Sequence, residues 1–247
     1  MTMPSEVANA WARASVTTTV DVSITITSGS GRVLVAFPGI YDNADGDTVS
    51  SVVFDPGGGD EANFTNEAGA TGSYFNSGLS IYYRNEGWYL ILPDGVSDDT
   101  YTVQVTTDGT VGRIICSVWE VADADTTDPI GASGAGTGNG TTASVDVTTT
   151  ATNSLVAAGR IHKRNALGTP GADDVEVTDS ASNLNSLWSG YTAAASIDTY
   201  TVSVDSGVAD YWAMSGVEIL ESGGAPPSNA PTGNVSGPLV GPLGGPI

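Results

Sequence analysis

The sequence predicts an all-β protein: an antiparallel two-sheet, jelly-roll-like sandwich carrying a weak internal duplication. Three observations lead there. Apolar and polar residues alternate strictly over several short runs, which is the period of a strand with one buried face. The runs are punctuated by 32 glycines and 12 prolines, so turns are frequent and long helices are disfavoured. Finally, short segments from the first part of the chain recur in the same order in the second.

Residues 1–14 read as an N-terminal arm or a short helix. Ser5 is placed to cap Ser5–Ala14, and Val7, Trp11 and Ala14 share a helical face. The sandwich follows over residues 15–221. Its first strand sets Val20, Val22, Ile24 and Ile26 against Asp21, Ser23, Thr25 and Thr27. Tyr101, Val103 and Val105 repeat the pattern, as do Tyr200, Val202 and Val204. Threonine fills the polar faces because its β-branched side chain suits a pleated surface while its hydroxyl stays in water. The alternation places strands near 16–27, 32–38, 49–54, 79–84, 88–92, 100–107, 112–121, 143–149, 154–161, 174–179, 199–205 and 212–220.

Two halves, 15–121 and 143–221, carry the duplication. Val20-Asp21-Val22-Ser23 matches Val145-Asp146-Val147-Thr148, and Leu34-Val35-Ala36 matches Leu155-Val156-Ala157. The stretch from Asp99 to Val105 matches Asp198 to Val204, and Ser117 to Val121 matches Ser215 to Ile219. Between the halves, 122–142 reads as a long Gly, Asp and Thr loop with Ile130 as its aliphatic anchor. A single domain whose sheets share strands from both halves is expected.

From Ser222 the character changes. Residues 222–247 read as a Gly/Pro-rich docking arm that packs on a neighbouring subunit, with Pro238, Leu239, Val240, Pro242, Leu243 and Ile247 as its contacts. Glycine and proline recur there with a period of four. Collagen needs glycine at every third position, so a triple helix is excluded.

Composition narrows the partners. The formal net charge is −21 with only 14% charged residues, so the acidity reflects a shortage of Lys and Arg. Neither nucleic acid nor an anionic membrane is expected as a partner, because both need clustered cations. Residues 1–15 lack a secretory signal pattern, and no apolar run is long enough to span a membrane. Cys116 is the only cysteine, which rules out an intrachain disulfide.

The chemical candidates are few. Asp42, Asn43, Asp45 and Asp47 offer oxygen ligands around Gly46, a weak calcium candidate that lacks a closing Glu and reads equally as an acidic turn. His162, the only histidine, sits among cations with no nucleophile in view. No glycosidase-like run of carboxylates occurs, and Gly134 to Gly140 lacks the Lys-Ser/Thr of a phosphate loop. No catalytic residue and no cofactor is expected. Arg160, Lys163 and Arg164 gather three of only seven cations; they read either as an intersubunit contact or as charge protecting an edge strand. The aromatics Tyr82, Tyr83, Trp88, Tyr89, Tyr211 and Trp212 fit a core or a sugar-stacking surface.

The strand order through Leu34-Val35-Ala36, Asp45-Gly46-Asp47, Trp88 to Pro93, Tyr101-Thr102-Val103 and Trp119-Glu120-Val121 resembles the jelly-roll sandwich proteins of tailed bacteriophage virions. That group comprises capsid decoration or cement proteins and tail-fibre modules. The resemblance implies a non-enzymatic, self-associating virion protein that binds the major capsid protein or another virion protein and stabilises the capsid exterior. The alternative is a carbohydrate-binding receptor module of a tail fibre or cell-surface protein, with a glycan as ligand.

Overall fold

The computed structural model describes residues 3–27, 31–43, 46–93, 95–164, 166–182 and 185–223. The chain is all-β, with two antiparallel sheets packed against each other. The first half supplies β1 (Ser5–Thr25), β2 (Val33–Asp42), β3 (Val49–Phe54), β4 (Ala62–Asn63), β5 (Thr65–Asn76), β6 (Ile81–Ile91) and β7 (Thr100–Ala122). The second supplies β8 (Ile130–Thr148), β9 (Ser154–His162), β10 (Thr169–Pro170), β11 (Val175–Ser182), β12 (Asn185–Ala194) and β13 (Thr199–Ile219).

Several expectations are corrected. Ser5–Ala14 is not a helix; it is the opening of β1, paired with β7 from Ser5↔Ala122 onward. A spacing of four puts Val7 and Trp11 on one face of a strand as well as of a helix, and the long partner β7 selects the strand. The expected loop 122–142 is largely strand: Ile130–Thr148 form β8 and pair with β13. Its glycines serve close packing, since a Cβ at Gly134 or Gly136 would come within 2.2 and 2.0 Å of the carbonyls of Asp146 and Ser144. Nor do the sheets exchange strands. Each is built from one half, in the orders β4-β3-β7-β2-β6-β5 with β1 on β7, and β10-β13-β9-β12-β11 with β8 on β13.

Those orders are the same path drawn twice. β1-β7-β2-β6-β5 corresponds to β8-β13-β9-β12-β11, and β3 on β7 corresponds to β10 on β13. The register of the duplication differs from that of the sequence matches. Val22 pairs with Val103 and Val145 with Val202, so Val22 corresponds to Val145; this is a two-residue shift that leaves the faces unchanged. Val33 pairs with Val121 and Leu155 with Ile219, so Val33 corresponds to Leu155. That one-residue shift moves every side chain to the other face. Side-chain contacts repeat too: Thr25 and Thr100 hydroxyls lie 3.0 Å apart, as Thr148 and Thr199 hydroxyls lie 2.8 Å apart.

Each sheet bends along its two long strands and encloses a core of its own. In the first half, Val22 and Ile24 of β1, Leu34 of β2, Phe54 of β3 and Val103 and Ile114 of β7 form one cluster. In the second, Val145, Val156, Trp188, Val202 and Met214 form another. A third cluster lies between the sheets: Val33, Val35, Phe37, Trp119, Leu155, Ala157 and Val217. β2 and β9 meet there and are buried on both faces, which is why neither alternates.

At this meeting, corresponding residues face one another. Phe37 corresponds to Gly159, and a Cβ on Gly159 would lie 2.3 Å from the Cβ of Phe37; Gly39 corresponds to Ile161, with the same clash at 2.9 Å. Two large residues do not fit across a pseudo-twofold axis and two glycines would leave a void. Each half supplies one knob and one hole. Farther from the axis the contacts also come in pairs: Ser133 donates to Glu67 at 2.9 Å, and at the corresponding positions Thr178 donates to Asn9 at 3.5 Å.

Candidate functional site

The cation cluster does not form a surface patch. Arg160 lies in the middle of β9, between β12 and β13, and its side chain points into the second core, fully buried. Its Nη2 donates to Ser186 Oγ at 3.2 Å, while Nε and Nη1 find no partner. Burial pushes its pKa down to about 10, against the pull of Asp179. A buried side chain offers nothing to a neighbouring subunit, so the expected interface role of Arg160 is corrected. The edge-protection alternative falls with it, because β9 is paired on both sides.

Lys163 and Arg164 sit just past β9 and turn to the same carboxylate of their own chain. Asp210 lies 3.8 Å from Lys163 Nζ and accepts from Arg164 Nε at 2.7 Å. Lys163 also stands 5.3 Å over the Tyr211 ring. His162 is buried beside Arg160, and burial followed by that positive neighbour lowers its pKa to about 4. It is therefore neutral at pH 7, with Nδ1 accepting from Arg164 N at 3.3 Å. Asp179 is pushed the other way, up to about 6, mainly by burial.

The remaining carboxylates inside the fold hold backbone together. Glu120 accepts from Thr27 N and Oγ1 at 2.8 and 2.9 Å, and the corresponding Glu218 accepts from Thr150 N, Thr150 Oγ1 and Ala151 N. Glu86 gathers Val49 N, Asn66, Arg84 and Trp88. These are structural ties.

At the acidic turn, Asp42 is buried, with Oδ1 accepting from Asn43 N at 2.8 Å. Asp47 has its pKa raised by burial and by Asp42 and Asp108; Asp108 is held low by hydrogen bonds from Thr48. Asp45 lies outside the described residues. Among the described residues, no group of three or more His, Cys, Asp or Glu is placed to hold a metal ion.

The aromatics are largely interior. Trp88, Tyr83 and Trp212 are buried, and Tyr211 stacks on Tyr74 and Tyr83 between the sheets while Tyr41 lies tilted against Tyr83. A hollow of about 550 Å³ on the second half is lined by Asp173, Thr192, Thr199, Tyr200 and Thr201. Its hydroxyls are already engaged: Thr192 with the Asp173 carbonyl, Thr201 with Asp146, and Tyr200 with Ser196. That leaves it little capacity for a sugar.

What the sequence reading missed is apolar. Val7 and Trp11 on β1 and Val175 on β11 are 42%, 44% and 46% exposed on a strongly acidic protein. The tail positions Pro238, Leu239, Val240, Pro242, Leu243 and Ile247 lie outside the described residues. Among the described residues no helix is long and apolar enough to cross a membrane. Comparison of the chain with protein-family models, with curated proteins and with solved structures finds no match in any of the three.

Proposed function

We propose that the chain is a non-enzymatic structural protein of a bacteriophage virion, a decoration or cement protein that binds the capsid exterior and adds contacts across it. The observation that carries the non-catalytic part is the commitment of four interior carboxylates. Glu86, Glu120, Glu218 and Asp210 each bind backbone or a cation of their own chain, and neutral His162 spends Nδ1 on Arg164 N. A catalytic carboxylate or imidazole needs a free face toward substrate. The virion part rests on the resemblance of strand order and Thr-rich texture to phage sandwich proteins. The partner under this reading is the major capsid protein or another virion protein, and self-association on the particle is expected. The test is quantitative mass spectrometry of purified particles from cells that make the chain, followed by imaging of the particles. Recovery in fixed stoichiometry with the major capsid protein, with density on the shell exterior, is expected. Absence from the particles overturns the reading.

A further inference from the structure

The second half buries a cation that the fold does not require. By the pairing of β9 with β13 and of β2 with β7, Arg160 occupies the place of Pro38 and His162 that of Ile40. The first half closes these points with a pyrrolidine ring and an aliphatic side chain, whereas the second places there a guanidinium and an imidazole, both at 0% exposure. A buried charge is strongly destabilising unless something balances it. Among the described residues the ion pairs join Arg32 to Glu120, Arg84 to Glu86, and Lys163 and Arg164 to Asp210; Arg160 enters none of them. Asp179 pulls on Arg160 from a distance, with its Oδ2 held by Gly168 N at 2.6 Å.

The donors left over lie together. Arg160 Nη2 donates to Ser186 Oγ at 3.2 Å, and Ser186 is the cross-strand partner of His162. The guanidinium is thereby drawn along β9 to the level of the imidazole, where its charge helps to keep His162 neutral. His162 Nδ1 accepts from Arg164 N, so the neutral ring carries its proton on Nε2. Among the described residues, Nε and Nη1 of Arg160 and Nε2 of His162 have no partner. All three donate, and a guanidinium has no atom that accepts. A water would accept from them but leave the charge unbalanced, whereas an anion answers both needs. Enclosure limits its size: a monatomic anion needs about the room of the waters that buried polar groups hold. We propose that Arg160 and His162 form a buried site for one halide-sized anion, with chloride as the first candidate. The site belongs to the second half alone and is independent of any role on a virion.

The test uses the full-length chain at pH 5, below the value of about 6 to which burial raises Asp179, so that this carboxyl is mostly neutral and competes least with an anion. Thermal melting is followed as sodium chloride replaces sodium methanesulfonate at constant ionic strength, in the parent, in Arg160→Met and in His162→Ile. Crystals of the parent grown from sodium bromide are measured at the bromine absorption edge. The parent's midpoint is expected to rise by about 5 °C and then saturate. Both variants are expected to lose that response, and an anomalous peak to lie between the Arg160 guanidinium and His162 Nε2. A parent indifferent to chloride, a rise retained in Arg160→Met, or bromide peaks confined to the surface overturns the proposal in favour of water or of salt acting at the surface. Should Arg160→Met fail to fold, the bromide peak decides alone.

Discussion

The first and second halves share a strand path and differ in what they enclose. The first core holds aliphatic and aromatic side chains from β1, β2, β3, β6 and β7, whereas the second admits Arg160, His162 and Ser186 beside Trp188 and Met214. Glu86, bonded to Trp88, is buried in the first half, so the same backbone topology tolerates a different set of buried polar groups in each. What it does not tolerate is likeness at the pseudo-twofold axis, where Phe37 meets Gly159 and Ile161 meets Gly39. Divergence between the halves is a packing requirement at the axis and optional elsewhere.

The largest effect is therefore expected at the axis. Phe37→Gly opens a cavity and should cost about 3–5 kcal/mol, while Gly159→Phe drives a ring into Phe37 and should cost as much or more. Combined, the two exchange knob and hole, and the pair should recover at least about 2 kcal/mol of the summed loss in denaturant titrations. Strict additivity would show that the axis does not work by complementarity.

The matched carboxylates come next. Glu218→Ala strands three donors, Thr150 N, Thr150 Oγ1 and Ala151 N; Glu120→Ala strands two and releases Arg32, which lies 3.5 Å away and is partly exposed. With an unsatisfied buried donor costing about 1–3 kcal/mol, Glu218→Ala should be the more damaging by calorimetry. The reverse order would break the correspondence drawn between them.

The polar interior of the second half gives a pH signature. Asp179, raised to about 6, keeps its proton in the folded chain where the unfolded chain has lost it, so its contribution falls as pH rises from about 4 to 6. His162, lowered to about 4, stays neutral where the unfolded chain is protonated, so its contribution is complete above 6.5 and is lost as pH falls toward 4. The two slopes oppose each other. His162→Gln should leave a chain that grows less stable from pH 4 to 6, and Asp179→Asn one that grows more stable from pH 4 to 6.5. Parallel melting curves across pH for both variants would contradict the shifts.

The smallest expected effect is at the bend of β1. Val16 is β-branched, 77% exposed, and held at φ 51°. Val16→Gly relieves that left-handed strain without loss of packing and should stabilise by about 1 kcal/mol in thermal melts. A loss of stability would mean that the exposed valine has a contact of its own.

Strands with one wet face were legible in the sequence, as Val20 to Thr27 and Tyr101 to Val105 illustrate. Strands covered on both faces were not. β12 has nearly every residue buried, so Leu187-Trp188-Ser189-Gly190 shows no alternation, and β5 spends Ala70 and Gly72 on close approach to Gly87 and the Met214 carbonyl. Gly134 and Gly136 misled for the same reason, since a glycine required by a touching carbonyl looks like a loop glycine. Arg160 was visible as a charge but not as a buried one, because it shares with Val156 and Ala158 the face of β9 that the second half's own core closes over. The exposed pair Val7 and Trp11 was hidden by the helical interpretation of its spacing.

Native-state hydrogen exchange tests most directly the claim that two self-cored halves are locked together through β2 and β9. Both strands are buried on both faces, so their amides should exchange slowest and with the same free energy, equal to that of global unfolding, because neither half opens without parting Phe37 from Gly159 and Ile161 from Gly39. If β9 and the rest of the second half exchange through an opening distinctly cheaper than that of β2, the halves are independent units that merely touch, and the account of the axis is wrong.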